Sequence, residues 1–253
     1  MSDANGFSAP LAAFYDATHD YGDIGDESFY VDAAVAADGP VLEGACGSGR
    51  LCLELLRKGV DADGFDVSPA MLDLLRETAR ADGLDPTVWQ ADLRSVGADR
   101  SYALVIVPYN SVCNLRTVDD QLAALSALCD VLEPGGRLLF DAYVPRYRVV
   151  ADSFDEWHER GEFEYDGESL VGWTRATIED EVAQTYRTEQ EIRTPDGEVV
   201  ARDGFVLSHL PPQQIELLAR HSPFAEWSAT SDFDGDPLED GADVQVWELT
   251  KTK

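Results

Sequence analysis

The stretch that most constrains the fold of this chain runs from Val41 to Leu72. A short apolar run, VLEGAC, leads into a loop of small residues and then into the helix-like segment GRLCLELLRKG. A second short run, VDADGFDV, follows and contains Asp66. Glycine and other small residues allow a sharp turn and leave the first N–H groups of a helix accessible to a ligand. The stretch therefore predicts a strand–loop–helix–strand unit with carboxylates, Glu43 and Asp66, beside a ligand-binding loop.

The alternation of strand-like and helix-like segments continues to Pro145. The predicted strands are PVLEGAC, VDADGFDV, PTVWQADL, YALVIVPYN and RLLFDAYVP, and the predicted helices are GRLCLELLRKG, SPAMLDLLRETARADG and DDQLAALSALCDVLEPGG. Ser68 is expected to cap the second of these helices, with Pro69 as its first residue. Pro134-Gly135-Gly136 is expected to stop the third. Such alternation with short loops predicts a parallel sheet with right-handed crossovers.

The pattern changes after Pro145. Short polar turns join three segments rich in Thr, Val, Tyr and Ile, which predicts an antiparallel meander: VGWTRATIED, VAQTYRTEQEIR and EVVARDGFVLSHL. PPQQIELLARHS then predicts a helix, and AEWSATSDFD and DVQVWELTK predict two final strands. The loop between these strands is too short for a helical crossover, so the last strand should run antiparallel to its neighbours. We expect a core of residues 1–145 and 211–253 and an antiparallel insert of residues 146–210.

The chain is strongly acidic. Asp and Glu number 49 against 19 Lys and Arg, which gives a net charge of −30, and the acids are spread along the whole sequence. This distribution indicates adaptation to a high-salt cytoplasm, where salt screens the repulsion between carboxylates. It also argues against a nucleic-acid partner, which needs a basic surface.

The remaining bulk features indicate a cytoplasmic location. The sequence shows no signal peptide and no apolar run long enough to cross a membrane. The four cysteines lack the C-x-x-C spacing of metal sites and lie in segments expected to be buried, so we expect free thiols and no metal site.

The loop after Glu43 suits two ligand classes, dinucleotides and S-adenosylmethionine (SAM). The dinucleotide pattern G-x-G-x-x-G fails from Gly47, because the third glycine falls on Cys52, and from Gly44, because the second falls on Cys46. The Glu43 carboxylate would repel a pyrophosphate, whereas it would attract the ammonium and sulfonium groups of SAM. The spacing and the charge therefore favour SAM.

From about residue 12 to residue 145 the chain resembles the class I SAM-dependent methyltransferases. Glu43 to Gly49 is similar to their first motif, acid-x-G-x-G-x-G, with Ala45 in place of the first glycine. The resemblance implies that Asp66 binds the ribose hydroxyls and that Asp92 accepts a hydrogen bond from the adenine amino group beside Leu93. It implies these cofactor-binding residues: Tyr21, Glu43, Gly44, Ala45, Gly47, Gly49, Asp66, Val67, Met71, Asp92, Leu93 and Pro108. It also implies a seven-stranded, mostly parallel Rossmann-like sheet with an antiparallel last strand, plus the small β insert.

The acceptor side is expected in the segment VPYNSVCNL, which resembles the pocket lining of small-molecule methyltransferases of this fold. Tyr109 and Asn110 are expected near the transferred methyl group. The N-terminal segment AAFYDATHDYGDI resembles the leading helix of that subgroup, which places Tyr15 and Tyr21 over the cofactor or acceptor, with His19 as a weak candidate base. The insert is expected to be the lid, and its aromatic and basic residues are candidates to select the substrate: Trp157, Phe163, Tyr165, Trp173, Tyr186, Arg146, Arg148 and Arg175.

The sequence thus favours methyl transfer from SAM to N or O of a small molecule by in-line displacement, with the chain a monomer or homodimer. Three alternatives stay open. One is methylation of RNA or protein, since VPYN partly matches the Asp/Asn-Pro-Pro-Tyr motif of amino-group methyltransferases. Another is a SAM-binding module without catalysis. The third, a nicotinamide oxidoreductase, is opposed by the glycine spacing and by Glu43.

Overall fold

The structure of the chain, a computed structural model, describes residues 25–252. Tyr15, His19 and Tyr21 lie outside the described residues, so the roles expected of them stay predictions. The described chain divides into two compact units, residues 25–144 with 210–252, and residues 145–209. Each unit carries its own sheet.

The first unit contains eight strands and five α-helices among the described residues. The strands are β1 (Val41–Gly44), β2 (Ala62–Asp66), β3 (Thr87–Gln90), β4 (Tyr102–Val107), β5 (Leu132–Tyr143), β10 (Phe224–Ser231), β11 (Asp236–Pro237) and β12 (Val244–Lys251). The helices are α1 (Asp26–Val35), α2 (Arg50–Arg57), α3 (Pro69–Asp82), α4 (Val118–Asp130) and α6 (Pro212–His221), with a 3₁₀ turn at Ser111–Asn114. Strands β6–β9 and helix α5 belong to the second unit.

The sheet of the first unit has the order β11-β10-β12-β5-β4-β1-β2-β3. Strands β1 to β5 pair in parallel, and β12 is antiparallel to both β5 and β10, which confirms the orientation predicted for the last strand. The predicted count of seven strands was one too low. The difference is β11, where Asp236 and Pro237 pair with the end of β10, and two residues are too few to give an alternating pattern.

The expected stop of α4 at Pro134-Gly135-Gly136 was also wrong. The helix ends at Asp130, and these three residues lie inside β5. The register between β4 and β5 shifts from Tyr102↔Leu132 to Leu104↔Arg137, so the strand carries an irregularity there. Gly135 has a φ of 80°, a left-handed value that glycine adopts without strain. A proline and two glycines therefore form a bulged strand here rather than a helix end.

Apolar residues on both faces bury the parallel strands. Helix α1 packs Tyr30, Val31 and Ala34 against Leu51 and Leu55 of α2 and against the sheet. The four cysteines are all buried and free, as expected. Ser68 caps α3 by accepting a hydrogen bond from the Met71 amide, with Pro69 at the first helical position, also as expected. The helices thus hold the loops at the carboxyl ends of the strands in place.

The second unit is a four-stranded antiparallel sheet of order β6-β7-β8-β9, preceded by α5 (Tyr147–Ser153). Its strands are β6 (His158–Tyr165), β7 (Glu168–Asp180), β8 (Thr185–Arg193) and β9 (Val199–Ser208). The meander was predicted, but β6 was missed because its sequence, HERGEFEY, is mostly charged and lacks β-branched residues. No helix within residues 25–252 is long and apolar enough to cross a membrane.

Candidate functional site

The candidate site lies at the carboxyl ends of four neighbouring parallel strands. Strand register pairs Glu43 of β1 with Ile106 of β4, and Val107 of β4 with Phe140 of β5. Pro108 directly follows the end of β4, Asp141 directly follows Phe140 in β5, and Asp66 ends β2. These residues therefore share this edge with Glu43. In open α/β sheets this is the edge at which ligands bind.

The loop between β1 and α2 is a tight turn tied to β2. The Cys46 amide donates to the Phe65 carbonyl at 3.0 Å, and the Gly47 amide donates to Asp66 Oδ2 at 2.9 Å. Gly49 has a φ of 96°, and a Cβ there would lie 2.6 Å from Leu75 Cγ, so a larger residue does not fit. Ala45 has a φ of 57°, a left-handed conformation that glycine would adopt with less strain than alanine.

Glu43 is a buried carboxyl group with an unused hydrogen-bond acceptor. Its exposed fraction is 3%, and its Oε2 atom has no hydrogen-bond partner among residues 25–252. Burial raises the pKa of Glu43 to about 8, although the nearby Arg50 guanidinium opposes the shift. A buried carboxyl group with a free oxygen fits a cationic ligand, because a positive charge would both ionise it and satisfy that oxygen.

Asp66 presents its carboxylate between the loop and α3. Its Oδ2 atom accepts from the Gly47 amide, and its Oδ1 atom accepts from the Ser68 amide at 2.8 Å. Burial raises the pKa of Asp66, and these backbone hydrogen bonds oppose the rise. Each oxygen of a carboxylate has a second lone pair, so both can still accept from a vicinal diol. The ribose-binding role stays a prediction that this geometry permits.

The residues expected around the adenine differ in their surroundings. Met71 and Leu93 are buried, whereas Val67 is 46% exposed. Asp92 accepts two hydrogen bonds from the Arg94 guanidinium, from Nε to Oδ1 at 2.8 Å and from Nη2 to Oδ2 at 2.7 Å, and a third from the Arg94 amide to Oδ1 at 2.8 Å. These contacts with Arg94 lower the pKa of Asp92. The sequence analysis did not anticipate this ion pair, which fixes the orientation of the Asp92 carboxylate.

The segment expected to contact the acceptor is a strained turn after β4. Tyr109 and Asn110 have φ values of 58° and 57°, and two consecutive left-handed residues other than glycine are uncommon. The Asn110 side chain is buried, and its Oδ1 atom has no hydrogen-bond partner in the part of the chain that the structure describes. The Arg50 guanidinium lies 5.7 Å from the centroid of the Tyr109 ring, which links this turn to the start of α2 after the glycine-rich loop.

Three residues that support the site were not predicted from the sequence. Asp141 is fully buried and accepts hydrogen bonds from the amides of Tyr109 and Asn110. Tyr30 of α1 donates its hydroxyl to the same carboxylate at 2.6 Å. Asp26, also on α1, forms an ion pair with Arg50. The only local signal was Asp141 itself, a charged residue inside the apolar run RLLFDAYV.

The insert residues proposed for substrate selection fall into different environments. Phe163 is buried with Leu170 and Ile192 in the core of the insert itself, and Tyr165 packs against that cluster, which corrects the expectation for Phe163. Trp157 lies under the guanidinium groups of three arginines: Arg175, Arg193 and Arg202. Tyr186 stacks on His209 with their ring centroids 4.5 Å apart. The lid role of the insert stays a prediction.

Comparison with protein families finds a matching domain in the first unit. Residues 41–136 match the family model described as "Methyltransferase domain". A putative methyltransferase of Bacillus subtilis is 28% identical over 135 residues, which are 53% of this chain and 54% of the relative. A Streptomyces venezuelae N,N-dimethyltransferase, named for dTDP-3-amino-3,4,6-trideoxy-alpha-D-glucopyranose, is 28% identical over 103 residues, 41% of this chain and 42% of the relative. The matches thus span about half the length of these curated relatives.

Solved structures share the fold over nearly the whole chain. A SAM-dependent methyltransferase from Clostridium acetobutylicum has a TM-score of 0.77 at 19% identity and covers 96% of this chain and 98% of its own. A sugar N-methyltransferase from Streptoalloteichus has a TM-score of 0.75 at 20% identity, covering 100% and 96%. A SAM-bound amino pentose methyltransferase from Micromonospora has a TM-score of 0.68 at 19% identity, covering 100% of both chains. These likenesses show that the chain has the fold of the SAM-dependent methyltransferases, and residues 41–136 match a methyltransferase domain.

Proposed function

We propose that this chain transfers the methyl group of SAM to an amino nitrogen of a small molecule. The observation that carries the proposal is a pair of buried side-chain oxygens, Glu43 Oε2 and Asn110 Oδ1, to which none of the described residues gives a hydrogen bond. They lie on β1 and in the turn after β4, at the carboxyl ends of adjacent strands. A buried polar atom without a partner costs stability, so a ligand that supplies donors to both atoms would bind favourably.

Glu43 and Asp66 are the residues that would hold the cofactor most strongly. SAM supplies a methyl group already activated for transfer by its sulfonium charge. Glu43 would pair with the cationic part of the cofactor, and Asp66 would accept hydrogen bonds from its ribose hydroxyls. Ala45, Gly47 and Gly49 would leave room for the backbone of the loop to approach it.

Asn110 would hold the acceptor nitrogen. Its amide oxygen accepts from an N–H group of the acceptor and leaves the nitrogen lone pair free to attack the methyl carbon. Alignment of the two reactants can lower the activation free energy by roughly 7–11 kcal/mol, so positioning can supply most of the catalysis. A neutral amine needs no base before the transfer, since the proton leaves the nitrogen afterwards.

An amino group is favoured over a hydroxyl group by the relatives. The Streptoalloteichus structure is titled a sugar N-methyltransferase, and the Streptomyces venezuelae relative is named an N,N-dimethyltransferase of an amino sugar. These names describe those proteins. They make amino sugars the first acceptors to test for this chain.

The test is methyl transfer from radiolabelled SAM to matched pairs of sugars, free and nucleotide-linked, that differ only in carrying an amino or a hydroxyl group at one carbon. We expect label in at least one amino sugar and none in its hydroxyl counterpart, with the loss of one SAM per methyl transferred. Transfer to hydroxyl sugars alone would contradict the assignment to nitrogen. Transfer to bulk RNA or protein alone would contradict a small-molecule acceptor.

Two variants of Asn110 test the role proposed for its side-chain oxygen. Asn110→Asp keeps an acceptor oxygen, whereas Asn110→Leu removes it at similar volume. We expect Asn110→Leu to abolish most transfer while SAM binding is retained, and Asn110→Asp to keep part of the activity. Equal activity in wild type and Asn110→Leu would refute the role of Asn110.

A further inference from the structure

The turn that carries Asn110 is held by a carboxylate on the neighbouring strand. Asp141 Oδ1 accepts from the Tyr109 amide at 2.7 Å, and Asp141 Oδ2 accepts from the Asn110 amide at 2.8 Å. Both oxygens of a fully buried carboxylate are therefore used to bind two consecutive backbone amides. A carboxylate accepts such bonds more strongly than a carbonyl group does, because it is charged.

The conformation of the turn explains why such an anchor is needed. Tyr109 and Asn110 both lie in the left-handed region, at φ values of 58° and 57°. This conformation is strained for any residue other than glycine, and it persists only where the surroundings enforce it. The two charge-assisted hydrogen bonds that Asp141 accepts from the backbone of the turn offset that strain.

Helix α1 fixes the orientation of the anchor. The Tyr30 hydroxyl donates to Asp141 Oδ1 at 2.6 Å, and the Tyr30 side chain is fully buried. Burial raises the pKa of Asp141 to about 6, and the hydrogen bonds from Tyr30, Asn110 and Tyr109 oppose that rise because they favour the ionised form. Three donors thus converge on one carboxylate.

We propose that Asp141 is a positioning residue for methyl transfer: it holds Tyr109 and Asn110 in the left-handed turn that presents Asn110 Oδ1 to the acceptor, and Tyr30 orients it. The functional part rests on the function proposed above, whereas the structural part stands without it. Asp141 touches neither acceptor nor cofactor in this account and acts through the backbone of the turn. The acceptor side of the site therefore depends on Tyr30 of α1, which is 111 residues from Asp141 in the sequence.

The experiment compares Asp141→Asn and Tyr30→Phe with a matched pair elsewhere in the same sheet. Asn has one acceptor oxygen and one NH₂ group, so it cannot accept from both amides of the turn. Tyr102 donates its hydroxyl to the buried Asp63 at 2.8 Å, and Asp63 also binds Arg100. Tyr102→Phe and Asp63→Asn therefore remove the same chemical groups at a place that does not contact the turn.

The first readout is hydrogen exchange of the Tyr109 and Asn110 amides in the folded protein, which needs no acceptor. In Asp141→Asn we expect at least one of these amides to exchange about tenfold faster or more. In Tyr30→Phe the increase should be smaller, and in both control variants the two amides should exchange as in wild type. Unchanged exchange of both amides in folded Asp141→Asn would overturn the proposal.

The second readout is turnover with the best acceptor of the amino-sugar panel. We expect Asp141→Asn to lower kcat by about 10- to 100-fold while the Kd for SAM changes by less than about threefold, because a displaced Asn110 misaligns the acceptor and not the cofactor. The control variants should keep kcat even if they lower the melting temperature as much. A kcat in Asp141→Asn equal to that of the controls would overturn the functional part. If no amino sugar of the panel is methylated, the result counts against the proposed function. The hydrogen-exchange rates would still decide whether Asp141 holds the turn.

Discussion

The Gly47 amide donates a hydrogen bond to Asp66 Oδ2 over 2.9 Å, and this bond ties the loop after β1 to the end of β2. The two parts of the candidate cofactor site are therefore one unit, although they come from separate strand–helix connections. The Ser68 amide holds the other oxygen, Oδ1, at 2.8 Å. Both oxygens of Asp66 are fixed in direction before any ligand arrives, which lowers the entropic cost of binding.

Asp66→Asn should weaken SAM binding by about 1.5–3 kcal/mol, because the charge that strengthens the bonds to the ribose is lost while the size is kept. Calorimetric titration measures the change. Asp73→Asn, an exposed position on α3, is the control and should bind as wild type does. An unchanged Kd in folded Asp66→Asn would remove Asp66 from the cofactor site.

Binding of SAM should release a proton from Glu43. Burial holds the pKa of this group at about 8 in the free protein, so it is mostly protonated at pH 7, and a cation beside it favours the ionised form. The affinity should therefore rise as pH increases toward about 8 and then level off. Calorimetry at pH 7 in two buffers of different ionisation enthalpy counts the protons, and Glu43→Gln should release none at this site. Equal proton release by wild type and Glu43→Gln would contradict the assignment.

Glu43→Gln should stabilise the protein in the absence of SAM. The folded protein holds the Glu43 proton up to about pH 8, whereas an unfolded chain loses it near the ordinary glutamate pKa of about 4.5. The folded state then binds more protons between these values, so this group lowers stability as pH rises through that range, by at most about 1.4 kcal/mol per pH unit. Urea unfolding at several pH values measures the slope. An identical slope in Glu43→Gln would show that Glu43 is ionised in the folded protein.

Ala45→Gly should stabilise the fold by up to about 1 kcal/mol, because Ala45 has a left-handed φ of 57° and glycine adopts this conformation without strain. The SAM affinity should be retained, since the loop keeps its shape. Ala62→Gly, in the buried strand β2, is the matched control and should destabilise the protein. Destabilisation by Ala45→Gly to the same extent would contradict the strain at this position.

High salt should stabilise the chain. With a net charge of −30, repulsion between carboxylates outweighs the attraction within ion pairs, and salt screens both. The melting temperature should rise from dilute buffer to molar KCl, and most of the gain should occur at low ionic strength if screening alone is the cause. A melting temperature that falls with KCl would contradict the proposed adaptation to a high-salt cytoplasm.

Local pattern was sufficient to predict most of the main sheet. The alternation from Pro40 to Pro145 and the cap at Ser68 depend on residues close in sequence, and so does the small-residue loop after Glu43. The strand β6 and the two-residue strand β11 were not predicted because neither has an apolar repeat. The bulge at Pro134-Gly135-Gly136 was not predicted because proline and glycine also commonly end helices.

The support of the candidate site could not be predicted in the same way. Tyr30 and Asp141 are 111 residues apart, and Arg50 and Asp26 are 24 apart, so their pairing depends on how α1 packs on the sheet. Tyr109 and Asn110 were placed near the methyl group from a motif, but no local propensity indicates a left-handed conformation at both. Only the structure shows that Glu43 Oε2 and Asn110 Oδ1 are buried and lack a hydrogen-bond partner among the described residues.

The most direct test of the central claim is calorimetric titration of the folded chain with SAM, beside an identical titration with NADH. We expect saturable binding of one SAM per chain, accompanied by proton release that Glu43→Gln abolishes, and no saturable binding of NADH. Absence of SAM binding by folded protein, or saturable NADH binding that SAM cannot displace, would contradict the claim.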